Sequence, residues 1–116
     1  MPLSTALYYW RKNNRYRNMP NVERAETTSA TNVQIKFNQD ITASNYSNGW
    51  VFIVDKSEIG PSGASPSGND IVNFTMSIPI VNGQSVSFQY KRLDGSYLGQ
   101  RGEIMQSSTG NVFNLV

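Results

Sequence analysis

Val72-Asn73-Phe74-Thr75-Met76-Ser77-Ile78 alternates apolar and polar side chains without a break. On an extended chain successive side chains point to opposite faces, so Val72, Phe74, Met76 and Ile78 line one side of a strand. The same period continues outward in both directions. Val33, Ile35 and Phe37 alternate with Gln34, Lys36 and Asn38, and Val86, Phe88 and Tyr90 alternate with Ser85, Ser87, Gln89 and Lys91. Trp50, Phe52 and Val54 repeat the pattern, while Val51 and Ile53 make that strand apolar on both faces. Each run offers one apolar face, which predicts strands sharing one core. Weaker strands are expected at Val22–Thr28, near Tyr97, at Ile104–Met105 and at Val112–Val116, about seven in all. No segment beyond the N-terminus has a helical period.

The punctuation agrees. Asn48-Gly49, Asn82-Gly83, Asp94-Gly95 and Gly110-Asn111 are dipeptides that favour tight reversals. Asn82-Gly83 sits between two alternating runs, so Ile71–Ile80 and Gln84–Arg92 are expected to pair as a hairpin. Gly60 to Gly68, rich in Ser, Pro and Gly, reads as a flexible loop. Short strands at this spacing, with no helices between them, predict an all-β antiparallel fold. A sandwich is preferred to a barrel because Greek-key Ig-like domains have this length.

The chain has 116 residues, one domain's worth, and contains neither cysteine nor histidine. Disulfides and thiolate chemistry are therefore excluded, and so is a Ser-His-Asp arrangement. The commonest metal ligand is missing as well. Asp40, Asp55, Glu58 and Asp70 are scattered over expected loops, with no calcium-loop spacing and no sign of a glycosidase pair. No phosphate-binding GxxxxGK[ST] loop occurs. These features predict a protein that is not an enzyme and needs neither metal nor cofactor. Trp50 is expected in the core, and Tyr46 and Tyr90 at its edge with their hydroxyls reaching solvent or backbone.

The formal charge of +2 is unevenly placed. Residues 1–22 carry Arg11, Lys12, Arg15 and Arg17 and no acid; the remainder holds six basic and eight acidic residues, a net of −2. The asymmetry divides the chain into a basic aromatic segment, 1–19, and a sandwich domain, 20–116. No run is apolar enough to cross a bilayer, and the short stretch Ala6 to Trp10 does not read as a secretory signal. Three readings of Leu7-Tyr8-Tyr9-Trp10-Arg11-Lys12-Asn13-Asn14-Arg15-Tyr16-Arg17 stand side by side. It could add an edge strand to the sandwich. It could dock onto another protein, since Tyr, Trp and Arg dominate interface energetics. It could bind nucleic acid through stacking and phosphate contacts, although four charges are few beside an acidic body.

Pro20 to Glu26 leads into Asn32-Val33-Gln34-Ile35-Lys36-Phe37-Asn38-Gln39-Asp40-Ile41, then Ala43 to Tyr46 and Trp50 to Val54. With Ile78 to Tyr90, this pattern resembles the bacterial Ig-like domains of the Swm type, found as repeats in large surface and adhesion proteins. The resemblance covers residues 20–92 and implies an Ig-like Greek-key sandwich; Tyr97 to Val116 departs from it. A single such domain with a basic aromatic arm also resembles bacteriophage capsid decoration proteins. That likeness implies a cement protein on the virion surface, made in the host cytoplasm without a signal peptide. Leu7, Tyr8, Tyr9, Trp10, Arg11, Lys12, Arg15, Tyr16 and Arg17 would contact the major capsid protein or another virion protein. A homo-oligomer such as a trimer would suit a symmetric shell, and neither nucleic acid nor membrane is an expected partner. The alternative is a carbohydrate- or receptor-binding module of a phage tail or bacterial surface, with ligand on Tyr46 to Trp50 or on the 60–68 loop.

Overall fold

The computed structural model describes residues 19–116. Eight strands are present among the described residues: β1 (Val22–Ser29), β2 (Asn32–Phe37), β3 (Trp50–Val54), β4 (Ser57–Ile59), β5 (Pro61–Pro66), β6 (Ile71–Met76), β7 (Val86–Tyr90) and β8 (Ser108–Val112). They form two antiparallel four-stranded sheets, ordered β1-β2-β6-β5 and β4-β3-β7-β8. This is the Greek-key arrangement of an Ig-like sandwich. The basic segment 1–19 lies, but for Met19, outside the described residues.

The alternating runs form strands because each buries its apolar set. Val33, Ile35 and Phe37 of β2, Val72, Phe74 and Met76 of β6, Trp50, Phe52 and Val54 of β3, and Val86, Phe88 and Tyr90 of β7 are all buried. Facing inward from two sheets, they make one core. Trp50 lies at its aromatic centre. Its ring is 5.0 Å from Phe74 in the opposite sheet, 4.9 Å from Tyr90 and 5.7 Å from Phe88 in its own, and 5.4 Å from Tyr97 in a loop. Its Nε1 is buried without a hydrogen-bond partner among the described residues.

Several expectations are corrected. The hairpin of Ile71–Ile80 with Gln84–Arg92 does not form. β6 pairs with β2 and β5, whereas β7 pairs with β3 and β8, so residues 77–85 cross between the sheets. Asn82-Gly83 still turns the chain there, with Gly83 at φ 85°. Ile78 is 56% exposed because the chain leaves the sheet after Met76. The 60–68 segment contains a strand, not only a loop. Its two prolines are tolerated because β5 is an edge strand, where a missing N–H is harmless.

Gly110-Asn111 is no reversal either; both residues lie within β8. A Cβ on Gly110 would stand 2.7 Å from Phe88 Cε1, so glycine there admits the ring of the neighbouring strand. The last strand therefore runs over Ser108–Val112 instead of Val112–Val116, and near Tyr97 and Ile104 only isolated bridges form, Leu98 with Thr42 and with Ile104. The tight hairpin is elsewhere: Asp55 and Lys56, both at positive φ, join β3 to β4.

The long β7–β8 connection belongs to the core. Tyr97 is buried; its N–H donates to the Tyr90 hydroxyl at 3.1 Å, and its own hydroxyl donates to the Tyr46 carbonyl at 2.7 Å. Met105, also buried, donates its N–H to the Tyr97 carbonyl at 3.1 Å. Asp94-Gly95 turns as expected, but glycine is required at 95 because any Cβ would collide with the Tyr90 ring.

Burial raises the pKa of Tyr97 above the ordinary 10.0, reinforced by neighbouring Tyr90; burial raises that of Tyr90 too, partly offset by its bond from Tyr97. A raised phenol pKa favours folding while the phenol stays protonated in both states. That contribution is complete below about pH 10 and is lost as the unfolded-state phenols ionise above it. The urea midpoint should therefore hold to about pH 9 and fall above about pH 10, and Tyr97→Phe should make that alkaline fall shallower. Separately, Gly110→Val should lower stability by about 1–3 kcal/mol through overpacking against Phe88, read as an earlier urea midpoint at unchanged slope.

Candidate docking surfaces

The pairing registers define two poles. Val22, Phe37, Ile71, Trp50, Tyr90 and Ser108 lie at one end of the strands, the upper pole; Asn32, Thr75, Val54, Val86 and Val112 lie toward the other. The chain enters at the upper pole and ends at the lower. Its entry is pinned by Asn38. The Asn38 Oδ1 accepts from the Asn21 N–H at 2.9 Å, its Nδ2 donates to the Met19 carbonyl at 3.1 Å, and its N–H donates to the Asn21 carbonyl at 3.0 Å. Pro20 is buried beside them. Residues 1–18 therefore join the body at the upper pole. The residues singled out for docking, Leu7 to Arg17, lie outside the described residues.

The aromatics of the body are packed internally, except for Phe113, which is exposed. Trp50 is 3% exposed, and Tyr46, half-buried, sets its ring edge-on to Tyr97 at 5.8 Å. Tyr90 is buried with its hydroxyl on backbone, as expected for that group. The pKa shifts given above belong to these packed tyrosines and not to a cleft. Asp40, Asp55, Glu58 and Asp70 are not brought together. Asp55 accepts the Ser85 N–H at 2.9 Å near the lower pole, while Asp70 precedes β6 at the upper. Among the described residues no three His, Cys, Asp or Glu side chains approach as a metal site.

The outer sheet faces are mostly polar, with Val51, Ile53 and Ile71 half-buried among polar neighbours. On the outer face of the first sheet, Arg24 grips Glu26 through both carboxylate oxygens at 2.6–2.8 Å, and Lys36 meets Glu23 at 3.4 Å. Such exposed pairs contribute little, about 0–1 kcal/mol. The exposed large apolar side chains collect elsewhere. Leu93, Leu98 and Ile104 stand in the β7–β8 connection at the upper pole. Ile78, Val81 and Leu115 stand around the β6–β7 crossing and the C-terminal stretch at the lower, with Phe113 just above them. The reading of the sequence missed these patches. Their signal, isolated aliphatics among turn residues, carries no period.

No protein-family model matches the sequence, and no curated protein matches it either. Solved structures do. The N-terminal part of the bacterial S-layer protein SbsC superposes with a TM-score of 0.72 at 14% identity, over 97% of this chain and 27% of that one. The longer S-layer form rSbsC(31-844) gives 0.72 at 13% identity, over 96% of this chain and 16% of the other. A structure of SbsC domains 1-6 gives 0.71 at 13% identity, over 95% and 16%. This chain thus spans roughly a quarter or less of those proteins. At such identity the likeness is one of fold: the body is a β-sandwich of the kind found within bacterial S-layer proteins.

Proposed function

We propose that this chain is a non-enzymatic structural protein that works by binding other proteins. In its finer form, it is a bacteriophage capsid decoration protein held to the major capsid protein by Leu7 to Arg17. One observation carries the reading. The body buries its aromatics in one core, all but Phe113, whereas the sequence sets Leu7, Tyr8, Tyr9, Trp10 and Tyr16, interleaved with Arg11, Lys12, Arg15 and Arg17, ahead of the described residues. Aromatic and arginine side chains of this composition are interface anchors. The segment's four positive charges favour an acidic partner surface. On a shell with many equivalent sites, copies of a weak contact add through multivalency.

The surface-layer proteins that share this fold provide an analogy of class only; a coat component is the kind of role proposed here. The rival reading is a glycan or receptor module using loop tips; of its two sites Tyr46 to Gly49 remain a loop, whereas Trp50 is buried and residues 61–66 form β5. Under the proposal the protein is made in the host cytoplasm and resides on the virion surface.

Deleting residues 1–18 tests this. Attachment to the particle, measured by co-sedimentation, should be lost while the remaining body keeps its β-sheet circular dichroism and its melting transition. Normal coating by the truncated chain would refute the docking role. Unfolding on truncation would show that the segment belongs to the sandwich.

A further inference from the structure

We propose that the free edge of β8 is a docking site for one extended segment of a partner protein, which pairs with β8 as an added strand. The site is separate from Leu7 to Arg17 and does not depend on the role given to them. It rests on backbone groups whose direction the strand pairing fixes.

The Phe113 N–H donates to the Ala25 carbonyl, and the Phe113 carbonyl accepts from the Thr27 N–H, both at 2.9 Å. Phe113 thus turns its backbone toward β1 and away from β7. Residues two apart on a strand direct their N–H and C=O the same way. Asn111 and Thr109 therefore present theirs on that side as well. The register of β8 with β7 is unbroken from Ser108 to Val112, so no bulge reverses the direction. Among the described residues nothing pairs with these groups of Thr109 and Asn111. Beside them β1 and β8 part, and a groove of about 300 Å³ opens between residues 21–25 and 108–111, with Phe88 and Phe113 in its lining.

A bare strand edge is a template for further pairing, and proteins blunt their edges with proline, charge, bulges or brevity. The other edges here are blunted in these ways. β5 carries Pro61 and Pro66. β4 has three residues, with Glu58 in the middle. The upper part of β1 has a bulge between Val22 and Arg24 and bears Glu23 and Arg24. β8 differs: Ser108-Thr109-Gly110-Asn111-Val112 has no proline, no charge and no bulge. Phe113, 63% exposed, adds an apolar contact at the lower end of this edge.

These features select the occupant. Outward N–H and C=O groups two residues apart are the complement of an extended backbone. The wall formed by residues 21–25 leaves room for a single chain, which favours a free segment over the edge of a second folded sandwich. β1 and the end of β8 run parallel, so a strand between them is parallel to both or antiparallel to both. Antiparallel pairing is the more stable, and the guest runs opposite to β8. Gly110 faces the Phe88 ring, so the guest residue across from it is small and apolar. The guest residues on either side flank Thr109 and Asn111 on the exposed face, where β-branched or aromatic side chains pair best.

A displayed library of random short peptides, panned on the full chain, supplies the probe. Enriched peptides should alternate apolar and polar residues and lack proline at their centre. Thr109→Pro and Asn111→Pro each remove one outward N–H without touching the bonds to β7, and each should weaken the best peptide about tenfold or more. Amide hydrogen exchange needs no variant. In the free chain Thr109 and Asn111 should exchange faster than Gly110, and saturating peptide should slow both by roughly fivefold or more. A library that enriches nothing overturns the proposal. So do peptides that bind both proline variants equally well, or that leave both amides fast. Thr109 and Asn111 amides already protected in the free chain would mean that the chain itself or a second copy fills the edge, and that result too overturns it.

Discussion

The packing of Trp50 is the constraint on which the rest of the fold depends. Its ring touches Phe74 from one sheet, Phe88 and Tyr90 from the other, Phe37 at the end of β2 and Tyr97 from a loop. Each aromatic pair contributes roughly 0.5–1.5 kcal/mol beyond the area it buries. Truncating such a residue costs about 3–5 kcal/mol, against about 5–15 kcal/mol of stability for a whole domain. With no disulfide to close the sandwich, this one cluster decides whether the two sheets face each other in register.

The same cluster recruits the upper connections. Tyr97 extends it into the stretch between β7 and β8, and the hydroxyls of Tyr90 and Tyr97 convert ring packing into backbone hydrogen bonds. Burying a phenol without a partner would cost about 1–3 kcal/mol; here each hydroxyl holds a loop instead. The seventeen residues between Tyr90 and Ser108 are thereby fixed, and with them the placement of Leu93, Leu98 and Ile104 at the pole. The exposed aliphatics are thus presented by an ordered frame.

Much of the body was legible in the sequence. β2, β3, β6 and β7 announce themselves because burying one face forces a period of two, β1 is expected only as a weaker strand, and Trp50 stands where its apolar neighbours demand. What the period cannot say is which sheet a strand joins. Ile71–Met76 and Val86–Tyr90 face each other across the core instead of lying side by side, and Asn82-Gly83 would look the same in either case. β5 has little apolar pattern of its own; its pairing with β6 selects it. Gly110 looked like a turn because its reason, the Phe88 ring, lies on another strand. The apolar poles were illegible for a similar cause: Ile78 seemed to continue a strand, and Leu93 and Leu115 acquire neighbours only through the fold.

The central claim is that the Trp50–Tyr90–Tyr97 cluster binds the upper connection into the same cooperative unit as the sheets. The amide of Tyr97 reports on it directly, since it sits in no strand and is held only by the Tyr90 hydroxyl. Native-state hydrogen exchange at that amide should require the same opening free energy as the Phe52 and Phe74 amides, that of global unfolding. Exchange through a low-energy local opening, with the sheet amides still protected, would contradict the account.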